Sequence, residues 1–81
     1  MSRPQRSATS RALGAAIRAT RTERGLSQEA FAIRAGIDRS YYGAIERGEF
    51  NLSIGKLAAI AAGLELPAWE LLRRGEGGRD A

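Results

Sequence analysis

Residues 26 to 48, LSQEAFAIRAGIDRSYYGAIERG, constrain this chain more than any other stretch. They break into two short helices around a tight turn, and each break falls on a residue suited to make it. Ser27 accepts from the orphan amides of a helix that opens at Gln28 and runs to Ala35. Gly36 takes the left-handed conformation that stops it. Asp38 caps a second helix over Arg39 to Arg47, and Gly48 closes that one.

The rest of the chain supplies flanking helices and no strand, since no segment alternates at period two. A first helix is predicted from Arg11 to Arg24, with Leu13, Ala16, Ile17 and Thr20 on one face and Gly25 at its end. The second helix turns Phe31, Ala32 and Ala35 inward, and the third turns Tyr42 and Ile45 inward. A fourth, capped by Ser53, spaces Leu57, Ile60, Ala61 and Leu64 at i, i+3, i+4 and i+7, with Gly63 near its end. A fifth opens at Pro67 and reaches Arg74. The expected fold is all-α: a compact five-helix domain over residues 11 to 74, with a disordered basic arm over 1 to 10 and a flexible tail over 75 to 81.

Composition narrows the chemistry. With 81 residues there is room for one domain, and the chain has neither histidine nor cysteine. The commonest metal ligand and general base are therefore missing, as are disulfides and thiolate zinc sites. Glu23, Glu29, Glu46, Glu49, Glu65 and Glu70 are scattered among arginines rather than gathered, so an enzyme is not expected, and no cofactor is. No apolar run approaches the ~20 residues of a membrane span, and the start lacks the hydrophobic stretch of a secretory signal, which places the expected protein in the cytoplasm. The net charge of +4 is unevenly spread: residues 1 to 24 hold six Arg against one Glu, a sum of +5, leaving −1 for the remainder. That is a basic arm on a nearly balanced domain, suited to a polyanionic partner.

Two helices around a turn can lay the second helix in the major groove of duplex DNA. At about 100° per residue, Tyr42 and Ile45 fall on one side of the third helix and Arg39, Ser40, Gly43 and Arg47 on the other. Arg39 stands at the amino end, where its planar fork can pair with the O6 and N7 of guanine. Ser40 is a less discriminating partner. Gly43 in mid-helix costs roughly 1 kcal/mol relative to alanine, so close approach to DNA or to the second helix should offset it. Tyr41 sits near the boundary, within reach of a phosphate. Ser27 and Gln28 open the second helix, and helix amino ends bind phosphate readily. Arg47, Asn51, Ser53 and Lys56 surround the loop into the fourth helix, a second candidate phosphate site.

The segments IRATRTERGLSQEAFA, AGIDRSYYGAIERG and SIGKLAAIAAGLELPAWELL together resemble the Cro and lambda-repressor-like (Xre-type) helix-turn-helix family, from Leu13 to Leu72. The resemblance implies that Arg21 pairs with Glu46, tying the first helix to the third. It also implies that Gln28, Arg39, Ser40, Gly43 and Ala44 face DNA. Gly43 and Ala44 depart from the longer polar side chains frequent in that family, so direct readout is expected to lean on Arg39 and Ser40.

One such helix reads few base pairs, and these proteins usually double their footprint as two-fold dimers. Trp69 and Leu72 on the fifth helix are the expected dimer contacts, and Arg3, Arg6 and Arg11 are candidates to track the minor groove. The expectation is a sequence-specific transcriptional regulator bound as a homodimer to a palindromic operator. Its size and layout resemble the controller proteins of restriction-modification systems and the antitoxins of toxin-antitoxin pairs, and the sequence does not separate these from a phage-type repressor. The alternative is a protein-interaction module, such as an antitoxin that binds a toxin.

Overall fold

The computed structural model describes residues 8–79, which form five helices: α1 (Ala8–Glu23), α2 (Gln28–Ala35), α3 (Arg39–Glu46), α4 (Ile54–Gly63) and α5 (Ala68–Arg79). Among the described residues there is no strand, and no helix is long and apolar enough to cross a membrane. The helices enclose one core in which Ile17, Phe31, Tyr42, Ile60, Leu64 and Leu71 are fully buried, so every helix contributes at least one side chain to the same interior. The Phe31 and Tyr42 rings meet at 5.2 Å, tilted by 51°, and this contact joins α2 to α3 across their turn.

The turn itself is built from local chemistry. Ser27 accepts from the Ala30 amide, and Gly36 adopts φ 72° while its amide donates back to α2. Asp38 then accepts from the amides of Ser40 and Tyr41, satisfying donors that the first turn of α3 would otherwise leave open. Ile37, between the two caps, drops into the core. Both ends of the turn are thus fixed by side chains a few residues away, which sets the angle between α2 and α3.

Several boundaries differ from the pattern in the sequence. α1 begins at Ala8 rather than Arg11, because Ser10 donates to Asn51 at 2.7 Å and holds this end against the loop before α4. The rest of the expected arm, residues 1 to 7 with Arg3 and Arg6, lies outside the described residues. α5 continues to Arg79, five residues past Arg74. It stays seated because Gly75 is buried where a side chain would meet the Leu13 backbone at 3.2 Å. Residues 80 and 81 also lie outside the described residues. Gly63 is the last residue of α4, at a point where a methyl would meet the Phe31 ring at 2.9 Å; the left-handed residue that turns the chain out of α4 is Glu65, at φ 65°. Arg24 stabilises this exit by donating twice to the Leu64 carbonyl, at 3.0 and 2.8 Å.

Candidate nucleic-acid interface

α3 is two turns long, and its buried residues run without a break from Tyr42 to Glu46. What holds it is a polar cluster in the interior. Arg21 of α1 donates to both carboxylate oxygens of Glu46, from Nε at 2.6 Å and Nη2 at 3.1 Å, and its Nη1 donates to the Leu26 carbonyl at 2.7 Å. Gln28 Nε2 donates to the same carboxylate at 2.8 Å, and so does the Tyr42 hydroxyl. Glu46 therefore gathers three side chains from three helices. Arg21 is 9% exposed and Glu46 6%, yet among the described residues no buried side-chain polar atom lacks a partner.

Burial alone would drive the Glu46 carboxyl upward, but the hydrogen bonds from Arg21, Tyr42 and Gln28 outweigh it and hold the group below its ordinary range. Arg21 is pushed up, chiefly by its bond to Glu46. The Tyr42 hydroxyl is driven well above its ordinary value by burial and by the adjacent Glu46 carboxylate. All three groups are thereby fixed in one charge state near neutral pH. Removing one member of such a pair leaves an uncompensated buried charge, so the cluster defines where α3 sits more than it adds net stability.

Around this support the structure sorts the expected contact residues into three groups. Arg39 and Ser40 are exposed at the amino end of α3, and Arg47 is exposed at its other end. Arg47 is 2.8 Å from Glu49 through Nε, and that bond raises its guanidinium further. Gly43 lies between them: a methyl there would be 3.4 Å from Arg47 Nη1, 3.7 Å from Arg39 Nη1 and 3.8 Å from Gln28 Oε1. The second group is on the far side of α3. There Tyr41 is half-buried, its ring centroid 5.0 Å from that of Phe50 and tilted by 56° to it, with Lys56 Nζ 5.6 Å from its ring centroid. Ser53 caps α4 by accepting from the Lys56 amide, and Asn51 accepts from Ser10. Ser27, exposed at the mouth of α2, makes up the third.

Two expected contacts change. Ala44 is only 6% exposed, because α1 and α2 both pack on this short helix and leave little beyond Arg39, Ser40 and Arg47 open. Its methyl is withdrawn from the outer face. Gln28 is also drawn inward, its amide nitrogen committed to Glu46 rather than free for an outside partner. Phe50 and Ser10 were missed by the sequence reading. Neither has a local signal: Phe50 stands in a loop with no periodicity, and Ser10 meets a partner 41 residues away.

On α5, Leu71 is fully buried while Trp69 is 64% exposed and Leu72 40%. Leu72 lines a narrow crevice with Thr9, Ala12, Leu13 and Gly75, at the seam where α5 lies along α1.

Two capped helices about a left-handed glycine, with the second locked from behind and open at its amino end, define a helix-turn-helix domain of the kind that inserts a helix into DNA. The family profile described as Helix-turn-helix matches residues 17–68, and the chain belongs to that family, in its Xre-type branch. It is 48% identical over 46 residues to the control protein C.MunI of a Mycoplasma species, covering 57% of this chain and 62% of that protein. The chain spans about half to three fifths of the length of such curated relatives. Among solved structures it is similar to the restriction-modification controller protein C.AhdI from Aeromonas hydrophila, with 40% identity, 80% of this chain and 98% of that one covered, and a TM-score of 0.77. It is likewise similar to the controller C.Esp1396I, solved as a tetramer with its natural 35 base-pair operator, at 33% identity, 85% and 95% coverage and a TM-score of 0.76.

Proposed function

We propose that this protein is a sequence-specific DNA-binding transcriptional regulator that acts as a homodimer on a palindromic operator, in the manner of a restriction-modification controller. The observation that carries the reading is the pairing of an exposed Arg39 and Ser40 edge with the buried Arg21–Glu46 cluster behind it. A rigidly held helix presenting a planar donor at its amino end is the geometry that direct readout requires. Arg39 is assigned to a guanine edge and Ser40 to a neighbouring base. Ser27, Tyr41, Arg47, Asn51, Ser53 and Lys56 are assigned to phosphates, and Gln28 to the amino end of α2 that faces them. Trp69 and Leu72 are assigned to the dimer contact. The similarity to a controller solved as a tetramer on its operator supports the target and binding as an oligomer. No ligand-sensing segment is needed in this scheme: concentration and dimerisation set occupancy, and the site's position relative to the promoter sets the direction of regulation.

The test is a binding titration against the DNA immediately upstream of the protein's own gene. With six to eight phosphates neutralised per dimer, log affinity should fall with log salt at a slope of about −5 to −7. Equal affinity for random duplex, or binding indifferent to salt, would point instead to a module that docks on another protein.

A further inference from the structure

Beside the loop between α3 and α4, side chains from three segments meet. Phe50 stands in the loop itself, Tyr41 in the first turn of α3 and Lys56 in the first turn of α4. The Phe50 and Tyr41 ring centroids are 5.0 Å apart and the rings tilt by 56°, inclined toward the edge-to-face arrangement that aromatic pairs favour. Lys56 Nζ lies 5.6 Å from the Tyr41 ring centroid, close enough for the face of the ring to attract its charge. The loop backbone is anchored on both sides of Phe50: the Glu49 amide donates to the Ala44 carbonyl at 3.0 Å, and Asn51 accepts from Ser10. Phe50 is nevertheless 44% exposed, among the exposed polar residues Glu49, Asn51 and Ser53. A ring left so open is a poor cover for the core, and what the structure sets against it is the Tyr41 ring.

The geometry points to Phe50 as a positioning residue: through the Tyr41 ring it fixes the Tyr41 hydroxyl and the Lys56 ammonium, before binding, as a pair of donors to the DNA backbone. This rests on the DNA-binding reading above, which assigns Tyr41 and Lys56 to phosphates one by one and gives Phe50 no part. A tyrosine and a lysine free to rotate lose side-chain entropy when they meet a phosphate, and a pair already held in place loses less. Phe50 carries neither a donor nor a charge. Its effect must therefore appear as affinity, with no change in the number of ions released and no change in the bases preferred.

The experiment compares the full wild-type chain with Phe50→Leu, which keeps an apolar side chain without the ring, and Phe50→Tyr, which keeps the ring. Binding is followed by anisotropy across a salt series on two duplexes: the sequence the wild type enriches from a randomised pool, and a scrambled version. Phe50→Leu should bind both about three- to tenfold more weakly and by the same factor, with an unchanged log-log salt slope. Phe50→Tyr should bind as the wild type does. Adding Phe50→Leu to Tyr41→Leu should weaken binding by less than about twofold, because Phe50 acts through Tyr41. In the free protein, nuclear magnetic resonance should show the Lys56 ε-methylene protons shifted upfield by the Tyr41 ring, and moving back toward ordinary values in Phe50→Leu. Should Phe50→Leu not fold at the binding temperature, Phe50→Met takes its place. Unchanged affinity without the ring overturns the proposal, as do Lys56 resonances that stay where they were. Losses that multiply in the double variant also overturn it, because Phe50 would then touch DNA on its own account, and so does an altered base preference. If the wild type binds neither duplex, the DNA-binding reading fails first and this inference with it, while the Lys56 resonances still report whether Phe50 orders its neighbours.

Discussion

The two flanks of α3 carry polar groups of similar kinds under opposite conditions. On the inner flank, Arg21, Gln28 and Tyr42 converge on one carboxylate, and the Arg21, Tyr42 and Glu46 side chains are buried. On the outer flank, Arg39 and Ser40 face solvent, and Arg47 holds Glu49 in a bond that water screens. The inner groups have one arrangement and a large penalty for losing it. The outer groups have many arrangements and little penalty for changing. A reading helix needs both: a fixed axis, so that each side chain meets a defined base, and side chains that can still reorganise as the groove closes on them.

The sharpest way to break this contrast is to remove the acceptor on the inner flank. Glu46→Ala leaves the buried Arg21 charge with the Leu26 carbonyl but no carboxylate, and the buried Tyr42 hydroxyl without its acceptor, and should cost about 3 to 5 kcal/mol in urea denaturation, close to the whole stability of so small a domain. The triple replacement Arg21→Met, Glu46→Leu and Tyr42→Phe, which also removes the hydroxyl left without an acceptor, should recover most of that loss in the same assay, because the cluster contributes position rather than net stability. On the outer flank, Arg39→Ala should leave the denaturation midpoint nearly unmoved while weakening operator binding by about 1 to 3 kcal/mol and relaxing preference at one base in each half-site. An Arg39 variant that keeps its base preference would remove the residue from the reading role.

Away from α3, Trp69→Ala should raise the dimer dissociation constant by roughly tenfold, an effect of about 1 to 2 kcal/mol visible in sedimentation equilibrium. A dimer of unchanged affinity would move the interface off α5. Acid tests the inner flank more gently. Folding holds the Glu46 carboxyl below its ordinary value of 4.5, so its contribution is complete above that pH and drains away as pH falls through the lower folded value. Denaturation midpoints should therefore drop below about pH 4.5, and Glu46→Gln should flatten that limb, starting from a lower plateau. The smallest effect is expected at Lys56, where alanine should weaken binding evenly across sequences and reduce the salt slope by about 1.

The fold was legible wherever its determinants are local. Caps at Ser27, Asp38 and Ser53, the stop at Gly36, and the apolar spacing of Leu57, Ile60, Ala61 and Leu64 each act within one or two helical turns, so a linear reading captures them. The outward setting of Arg39 follows from the same periodicity. The Arg21–Glu46 pairing came from family resemblance rather than from spacing, because 25 residues separate the partners.

By itself the amino-acid order determined five helices, one turn of defined chemistry and an arginine at the amino end of α3, because hydrogen bonds and burial along a single helix depend on near neighbours. Only the tertiary structure decided that Ala44 is withdrawn, that Gln28 serves Glu46, that Ser10 reaches Asn51, and that Phe50 stands against Tyr41. Those outcomes depend on how closely two helices approach and on which donors meet around one acceptor. Such distances are set by the packing of the whole core, and no short window of sequence contains them.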